Sequence, residues 1–197
     1  MTALAVSNVA LWIVVLALLA VVLALTRQVG VLHERIAPAG ALMINRGLTV
    51  GEKVPVIDVV DLNGLGLKVG AERSDGLSTL ILFLSPTCPV CESLLPVLQS
   101  SRKHEKSWLQ IVLASDGDPA AHREFVRSHG LLEFPYVVSA PLGMTYQVSR
   151  LPFAALLDSA GMLRARGLVN SREHLESLFE AQRLGVASLQ EYFSAHG

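Results

Sequence analysis

Two cysteines that follow a strongly apolar segment constrain the fold of this chain more than any other feature. Residues 77–84 form a near-continuous apolar run, which predicts a strand buried on both faces. Cys88 and Cys91 follow this run at the spacing Cys-x-x-Cys, and residues 88–104 have helical character. A cysteine pair between a buried strand and a helix is the context that redox use of this spacing requires. The sequence therefore predicts an α/β fold with thiol chemistry at the end of one strand.

The position of the pair at a helix start distinguishes the two sulfurs. A helix N-terminus stabilises negative charge through its free N–H groups and its macrodipole, and the thiolate is the reactive form of cysteine. We therefore expect Cys88 to be the exposed attacking sulfur, with a lowered pKa, and Cys91, about one turn later, to be the recessed resolving sulfur. Pro89 suits the first helical position, where no N–H is needed. Cys88 and Cys91 are the predicted catalytic residues.

Two other uses of the cysteines have to be considered. A structural disulfide across so short a loop would add little stability. A zinc site usually needs four ligands, and the six histidines are scattered singly along the chain: His33, His104, His122, His129, His174 and His196. We therefore predict no metal and no cofactor other than a redox-active disulfide between Cys88 and Cys91.

Hydrophobic periodicity predicts alternating strands and helices in the rest of the domain. Strands are predicted at residues 54–60, 67–69, 77–84, 108–114, 136–139, 153–158 and 162–168, and helices at residues 88–104, 119–129 and 171–184. An antiparallel pair of strands follows a parallel arrangement in this order. The expected architecture is a mixed sheet with helices packed against it.

An apolar segment at the N-terminus predicts a membrane anchor. Residues 1–26 contain no charged side chain, and residues 9–25 are an unbroken apolar run. About 20 apolar residues span a bilayer as a helix, so the segment at residues 4–25 is long enough. A cleavable signal peptide is the alternative, but it would need a charged start and a site of small residues. We therefore expect residues 1–26 to form a transmembrane anchor, in which residues 4–25 span the membrane. A connector at 27–49, a domain at 50–184 and a tail at 185–197 follow.

The net charge and the basic residues beside the apolar segment bear on possible partners and on membrane orientation. The net charge is −1, whereas a nucleic-acid partner would need a basic face, so no such partner is expected. Arg27 and Arg35 follow the apolar segment and no basic residue precedes it. The positive-inside tendency would then leave the domain in the cytoplasm.

Several motifs together resemble the thioredoxin family: the sequence Cys88-Pro89-Val90-Cys91, the proline at position 96, and Leu151-Pro152 before a strand. The resemblance implies a thioredoxin-like fold in which Pro96 kinks the active-site helix and Pro152 is cis and faces the cysteines. Backbone groups beside Leu151 and Pro152 would then pair with an extended client segment. Pro89 and Val90 complete the expected client-binding and supporting residues.

More narrowly, the membrane-anchored TlpA/ResA-like branch is resembled by residues 133–148, Leu151-Pro152, residues 157–161 and Arg166-Gly167. The N-terminal apolar segment, residues 33–41 and residues 85–91 resemble the MauD family of methylamine-utilisation accessory proteins. This resemblance implies a single-pass protein of the inner membrane with its domain in the periplasm, against the charge tendency. The implied client is the small subunit of methylamine dehydrogenase, whose disulfides the protein would form or rearrange. An unidentified membrane electron-transfer partner is also implied.

Two positions depart from the thioredoxin pattern. Thioredoxins carry a buried aspartate six residues before the first cysteine and a tryptophan directly before it, where this chain has Leu82 and Thr87. Both departures argue against efficient thioredoxin-like reduction. A TlpA/ResA-like reductase for cytochrome c maturation stays open as an alternative. So does a copper or metal-delivery chaperone, although such chaperones of this fold prefer a longer cysteine spacing.

Overall fold

The computed structural model describes residues 6–8, 10–22 and 48–184. Residues 6–8 and 10–22 are helical, but among the described residues no helix is both long enough and apolar enough to cross a membrane. The predicted anchor extends beyond the described residues, as does the predicted connector. The predicted tail lies wholly outside them.

The strands and helices of the described globular part follow the predicted order with one addition. The strands are β1 (Ile57–Val60), β2 (Gly66–Val69), β3 (Ser78–Phe83), β4 (Leu109–Ser115), β5 (Tyr136–Val138), β6 (Phe153–Leu157) and β7 (Leu163–Leu168). The helices are α1 (Pro89–Glu105), α2 (Pro119–Ser128), α3 (Ala140–Thr145) and α4 (Arg172–Leu184).

The central sheet is mixed, as the sequence predicts. Its five strands lie in the order β5-β4-β3-β6-β7. The strands β3, β4 and β5 are parallel, whereas β6 is antiparallel to both β3 and β7. β1 and β2 form a separate antiparallel hairpin, which reaches the edge of the main sheet through a bridge between Asp61 and Val137. The predicted α/β architecture is confirmed.

Alternate side chains of the central strands fill two cores, one on each face of the sheet. In β3, Leu80 and Leu82 point into one core, and Ile81 and Phe83 point into the other. This alternation follows from the period of two residues along a strand. The first core contains apolar side chains of α1, α2 and α4, and the second contains those of α3 and of the β1–β2 hairpin. Every residue of β3 is buried, which explains the near-continuous apolar run.

Two turns show how polar side chains and glycine set the chain direction. The Asp61 carboxylate accepts hydrogen bonds from the backbone N–H groups of Asn63 and Leu65 (2.9 and 2.8 Å), which closes the β1–β2 turn. At the β6–β7 turn, Gly161 has φ +78°, and a Cβ there would lie 2.3 Å from the carbonyl oxygen of Gly70. Only glycine fits that position.

Helix α3 is the element that the sequence did not predict. It has only six residues and includes Pro141 and Gly143, both of which lower helix propensity. The Ser139 hydroxyl caps it by accepting a hydrogen bond from the Leu142 N–H (3.3 Å), and the Leu142 side chain is fully buried in the second core. Tertiary packing therefore stabilises a helix that local propensity does not favour.

Candidate active site

The two cysteines lie at the start of α1, where the sequence predicts them. Cys88 is the N-cap residue, in an extended conformation with φ −101° and ψ 107°. Its sulfur accepts a hydrogen bond from the Cys91 N–H (3.3 Å), so it occupies the place of a capping oxygen. Pro89 is at the first helical position. The Cys88 sulfur therefore faces the free N–H groups of the helix, where negative charge is most stable.

Cys88 and Cys91 differ sharply in their surroundings. Both are free thiols, Cys88 half-buried and Cys91 fully buried. Burial, and after it the hydrogen bond with Cys88, raises the pKa of the Cys91 thiol to about 12. Cys91 therefore stays protonated at neutral pH unless another group assists its ionisation.

The loop before β6 reaches the same end of the sheet. The Leu151–Pro152 peptide bond is cis, as predicted. Pairing of Phe83 with Phe153 sets this loop beside the end of β3, the strand that leads to Cys88. The carbonyl oxygen of Pro152 accepts a hydrogen bond from the Val169 N–H (3.1 Å), which ties the loop to the end of β7.

Apolar side chains and a cleft lie at this end of the sheet. Val90 is 42% exposed and Leu151 is 38% exposed, so both predicted client-binding side chains are accessible. A cleft of about 430 Å³ has Leu151 in its wall, together with the ends of β3 and β4 and the segment from α3 to Leu151. The site thus offers an apolar surface with a concave side.

Glu92 in the first turn of α1 has a partner that the sequence did not reveal. Its carboxylate lies 3.1 Å from Nε2 of His129, at the end of α2. The hydrogen bond with Glu92 raises the pKa of His129 above its ordinary value. The side chains of Glu92 and His129 are 61% and 28% exposed, respectively, so solvent screens this ion pair. Glu92 therefore joins α1 to α2 at the surface.

A buried polar pair lies in the same core as Cys91. His122 of α2 and Tyr136 of β5 are both buried, and Nδ1 of His122 lies 2.8 Å from the Tyr136 hydroxyl oxygen. Nε2 of His122 lies 2.8 Å from the carbonyl oxygen of Asp116. Sequence reasoning missed this pair, since His122 stood among six singly placed histidines and no motif joins it to Tyr136.

Leu82 occupies the position at which thioredoxins carry their buried acid. It is fully buried, and it lies in register with Leu113 on β4, which in turn is in register with Tyr136 on β5. Residues in register on neighbouring strands project from the same face of the sheet. Tyr136 therefore lies in the same row across the sheet as Leu82, two strands away.

Nothing in the described part of the chain gathers three or more His, Cys, Asp or Glu side chains into a group that could hold a metal ion. The chemistry available at the described site is that of the two thiols and the polar groups near them.

The different surroundings of the two thiols lead to a prediction about reactivity. In the reduced chain at neutral pH, we expect iodoacetamide to modify Cys88 at least about a hundredfold faster than Cys91, because Cys91 is buried and its thiolate is scarce. Peptide mapping by mass spectrometry after short exposures measures both rates in one sample. Unfolding the chain in denaturant should bring the two rates close together. Equal rates in the folded chain would contradict the assignment of Cys88 as the attacking sulfur.

Comparison with curated proteins shows where the chain belongs. It is 45% identical over 189 residues to the methylamine utilization protein MauD of Paracoccus denitrificans, covering 96% of this chain and 94% of the relative. It is 47% identical over 191 residues to MauD of Methylobacillus flagellatus, covering 97% and 92%. With MauD of Methylorubrum extorquens the identity is 43% over 189 residues, covering 96% and 91%. No family model matches the chain.

Solved structures establish the fold. The thioredoxin domain of a thiol-disulfide oxidoreductase from Bacteroides vulgatus superposes with a TM-score of 0.58 at 16% identity, covering 68% of this chain and 98% of that domain. A secreted disulfide oxidoreductase of Mycobacterium tuberculosis, homologous to E. coli DsbE, superposes with a TM-score of 0.52 at 21% identity, covering 64% and 95%. The fold is thioredoxin-like, and the chain belongs to the MauD family of methylamine utilization proteins.

Proposed function

We propose that the chain is a membrane-anchored thiol–disulfide oxidoreductase that forms or rearranges disulfides in the small subunit of methylamine dehydrogenase. The observation that carries this proposal is the pairing of a half-buried Cys88 at a helix N-cap with a fully buried Cys91 one turn later. An accessible sulfur that can attack and a sheltered sulfur that can resolve are what thiol–disulfide exchange requires. Membership of a methylamine utilization family supports the choice of client.

The proposed exchange proceeds through a mixed disulfide. In the direction that oxidises the client, a client thiolate attacks Cys88 of the Cys88–Cys91 disulfide, and Cys91 leaves as a thiolate and takes up a proton. A second client thiol then loses its proton and attacks the client sulfur of the mixed disulfide. The client disulfide forms, and Cys88 is released as a thiolate. Two electrons and one proton pass from the client to the pair, and the total charge is unchanged. Rearrangement starts instead from the reduced pair: the Cys88 thiolate attacks a client disulfide, and a different client thiolate then attacks the mixed disulfide and releases Cys88.

The surface around Cys88 favours a protein client over a small polar one. Val90 and Leu151 expose apolar area beside the site, and apolar area gains free energy when a partner covers it. The backbone of Leu151 makes no hydrogen bond to another described residue. We propose that this backbone pairs with an extended client segment, in the manner of an added strand.

The membrane anchor and the periplasmic location are part of the proposal. The largely apolar segment at residues 4–25 has the length that a bilayer requires. Formation of disulfides needs an oxidising compartment, which the bacterial periplasm provides. An anchored oxidant also needs a route for the two electrons that it collects, and we assign this role to an electron-transfer partner in the same membrane.

The reduction potential of the Cys88–Cys91 pair tests the proposed direction of transfer. The full chain in detergent micelles is equilibrated with glutathione buffers, and the oxidised fraction is measured by thiol labelling. We expect a potential between about −120 and −200 mV, the range of known oxidants and isomerases. A value near about −270 mV or below, like that of thioredoxin, would contradict the proposal. The alternative would then be reduction of a client, as in cytochrome c maturation.

A further inference from the structure

The buried resolving thiol poses a problem of proton transfer. Cys91 is fully buried, and the other members of its buried cluster include Leu82, Leu84 and Leu95, which cannot accept a proton. Exchange nevertheless requires Cys91 to become a thiolate when it attacks and to regain a proton when it leaves. A thiolate in apolar surroundings is costly, and the backbone hydrogen bond at Ser85, which lowers the pKa of Cys91, offsets only part of the effect of burial. A polar group in the same core that accepts this proton would make the step faster.

The His122–Tyr136 pair has a defined hydrogen-bond arrangement. The carbonyl oxygen of Asp116 can only accept, so Nε2 of His122 carries a proton and donates to it. In the neutral ring, Nδ1 is then an acceptor and receives the hydrogen bond from the Tyr136 hydroxyl. The neutral pair is fully satisfied. It can still accept one proton, at Nδ1 of His122.

Tyr136 is electrostatically coupled to Cys91. Both side chains belong to the same buried cluster. Burial raises the pKa of Tyr136, and a negative charge on Cys91 raises it further. A hydrogen bond with the Ser115 side chain lowers the pKa of Tyr136. A thiolate at Cys91 therefore favours the protonated, uncharged form of this hydroxyl. Charges interact strongly across a buried region, because the effective dielectric constant is low.

The pair also reaches the solvent. Asp116, whose carbonyl oxygen holds His122, is exposed and lines the cleft beside Leu151 together with Ser115. The hydrogen-bonded groups thus extend from the core that contains Cys91 to the wall of an open cleft. A proton held on His122 can be exchanged with water there.

We propose that the Tyr136–His122 pair is the proton acceptor that allows the buried Cys91 thiol to ionise. This inference rests on the proposed function and assigns a positioning and proton-holding role within it. As Cys91 loses its proton, His122 becomes an imidazolium ion, with Nδ1–H donating to the Tyr136 oxygen and Nε2–H still donating to Asp116. The Tyr136 O–H is then free to turn toward the thiolate, which the positive charge on His122 also stabilises.

The bonds and charges balance. With a client attached to Cys88, the Cys91 sulfur gives up its proton to the pair and attacks the Cys88 sulfur. The Cys88–Cys91 bond forms, the bond between Cys88 and the client sulfur breaks, and the client leaves with the electron pair as a thiolate. The proton on His122 is then released to water. In the reverse direction, the pair returns a proton to Cys91 as it leaves.

Other titratable groups around this region have partners of their own. Cys88 lies on the same helix and is the sulfur that reacts with Cys91. Glu92 is held by His129 at the surface of α1 and α2. The Asp61 carboxylate, beside β5, accepts hydrogen bonds from backbone N–H groups of its own turn. None of these groups makes a hydrogen bond to His122 or Tyr136.

The test follows the resolving step alone. The full chain in detergent is reduced and treated with Ellman's reagent, which loads Cys88 with thionitrobenzoate, and stopped-flow absorbance follows the release of thionitrobenzoate by Cys91 across a range of pH. General acid–base assistance contributes typically about 10²- to 10⁴-fold. We expect Tyr136→Phe and His122→Gln to slow the release at least about tenfold at neutral pH, and to move the midpoint of the rate–pH profile to higher pH.

Two features of the variants separate proton transfer from structure. Glutamine at position 122 can keep one accepting and one donating hydrogen bond, but it cannot be protonated. Tyr146→Phe is the matched control, because Tyr146 is an equally buried tyrosine in the other core and its hydroxyl has no hydrogen-bond partner among the described residues. The rate of loading at Cys88 should be the same in all chains. Thermal unfolding confirms that each variant is folded at the temperature of the assay.

The outcomes are distinct. Slower release by both variants, with no further slowing when they are combined, supports a pair that acts as one unit. A rate–pH profile of His122→Gln that matches the wild type and Tyr146→Phe overturns the role of the pair and leaves the proposed function intact. Failure of the wild-type chain to release thionitrobenzoate at all would overturn the proposed function itself.

Discussion

Replacing Cys88 by serine is expected to abolish disulfide exchange, whereas replacing Cys91 by serine is expected to produce a chain that captures its client and holds it. A serine hydroxyl at position 88 cannot form a mixed disulfide. With Cys88 retained and Cys91 removed, the mixed disulfide forms but no sheltered sulfur resolves it. The position of Cys88 at the N-cap and the burial of Cys91 explain why the two changes should differ.

Cells that express each variant provide the measurement. In the Cys91→Ser strain, a species joined by a disulfide should migrate above the free chain on non-reducing gels and should contain the small subunit of methylamine dehydrogenase by mass spectrometry. It should be absent from the Cys88→Ser strain and from the double variant. Active methylamine dehydrogenase should fall to background in both single-variant strains. If Cys88→Ser left maturation of the dehydrogenase intact, the domain would act as a scaffold and its thiols would be incidental.

The second large effect concerns stability. We expect Leu82→Asp to lower the free energy of unfolding by about 4 kcal/mol or more at neutral pH, because burial can raise the pKa of a carboxyl by about 3 to 5 units and each unit corresponds to about 1.36 kcal/mol. Leu82 is fully buried near the C-terminal end of the all-buried strand β3. The core cluster to which it belongs is made of hydrophobic side chains.

The pH dependence identifies the cause. The carboxyl introduced at position 82 would have a folded-state pKa above its unfolded value of about 3.9, so the destabilisation relative to the neutral Leu82→Asn control is absent below about pH 4. It grows as the pH rises from the unfolded pKa and levels off above the folded pKa. Urea unfolding of the two variants at several pH values measures this difference. Equal stability of both variants at every pH would show that water reaches position 82.

Much of the site follows from short-range patterns. The run of apolar residues that forms β3, the spacing of Cys88 and Cys91, and Pro89 at the first helical turn all act within about a dozen residues, so their consequences can be predicted from local rules. The cis bond at Pro152 was inferred from resemblance and is confirmed. The membrane anchor at the N-terminus stays a prediction, as do the roles of the site residues.

Other features depended on contacts between distant parts of the chain. Helix α3 was not predicted, because Pro141 and Gly143 lower its local propensity and burial of Leu142 offsets that cost. The link between Glu92 and His129 joins two helices that lie far apart in sequence. Neither feature has a local signature.

Apart from α3, the sequence by itself determined the order of strands and helices, together with the thiol pair and the end of the strand at which it lies, because periodicity, caps and cysteine spacing act over short distances. Only the tertiary structure decided which polar groups share a core with Cys91. The packing of α2 over β5 brings His122 to the hydroxyl of Tyr136, and strand register sets Tyr136 in one row with Leu82. Such proximity arises when sheet and helices pack together, and no local pattern in the chain encodes it.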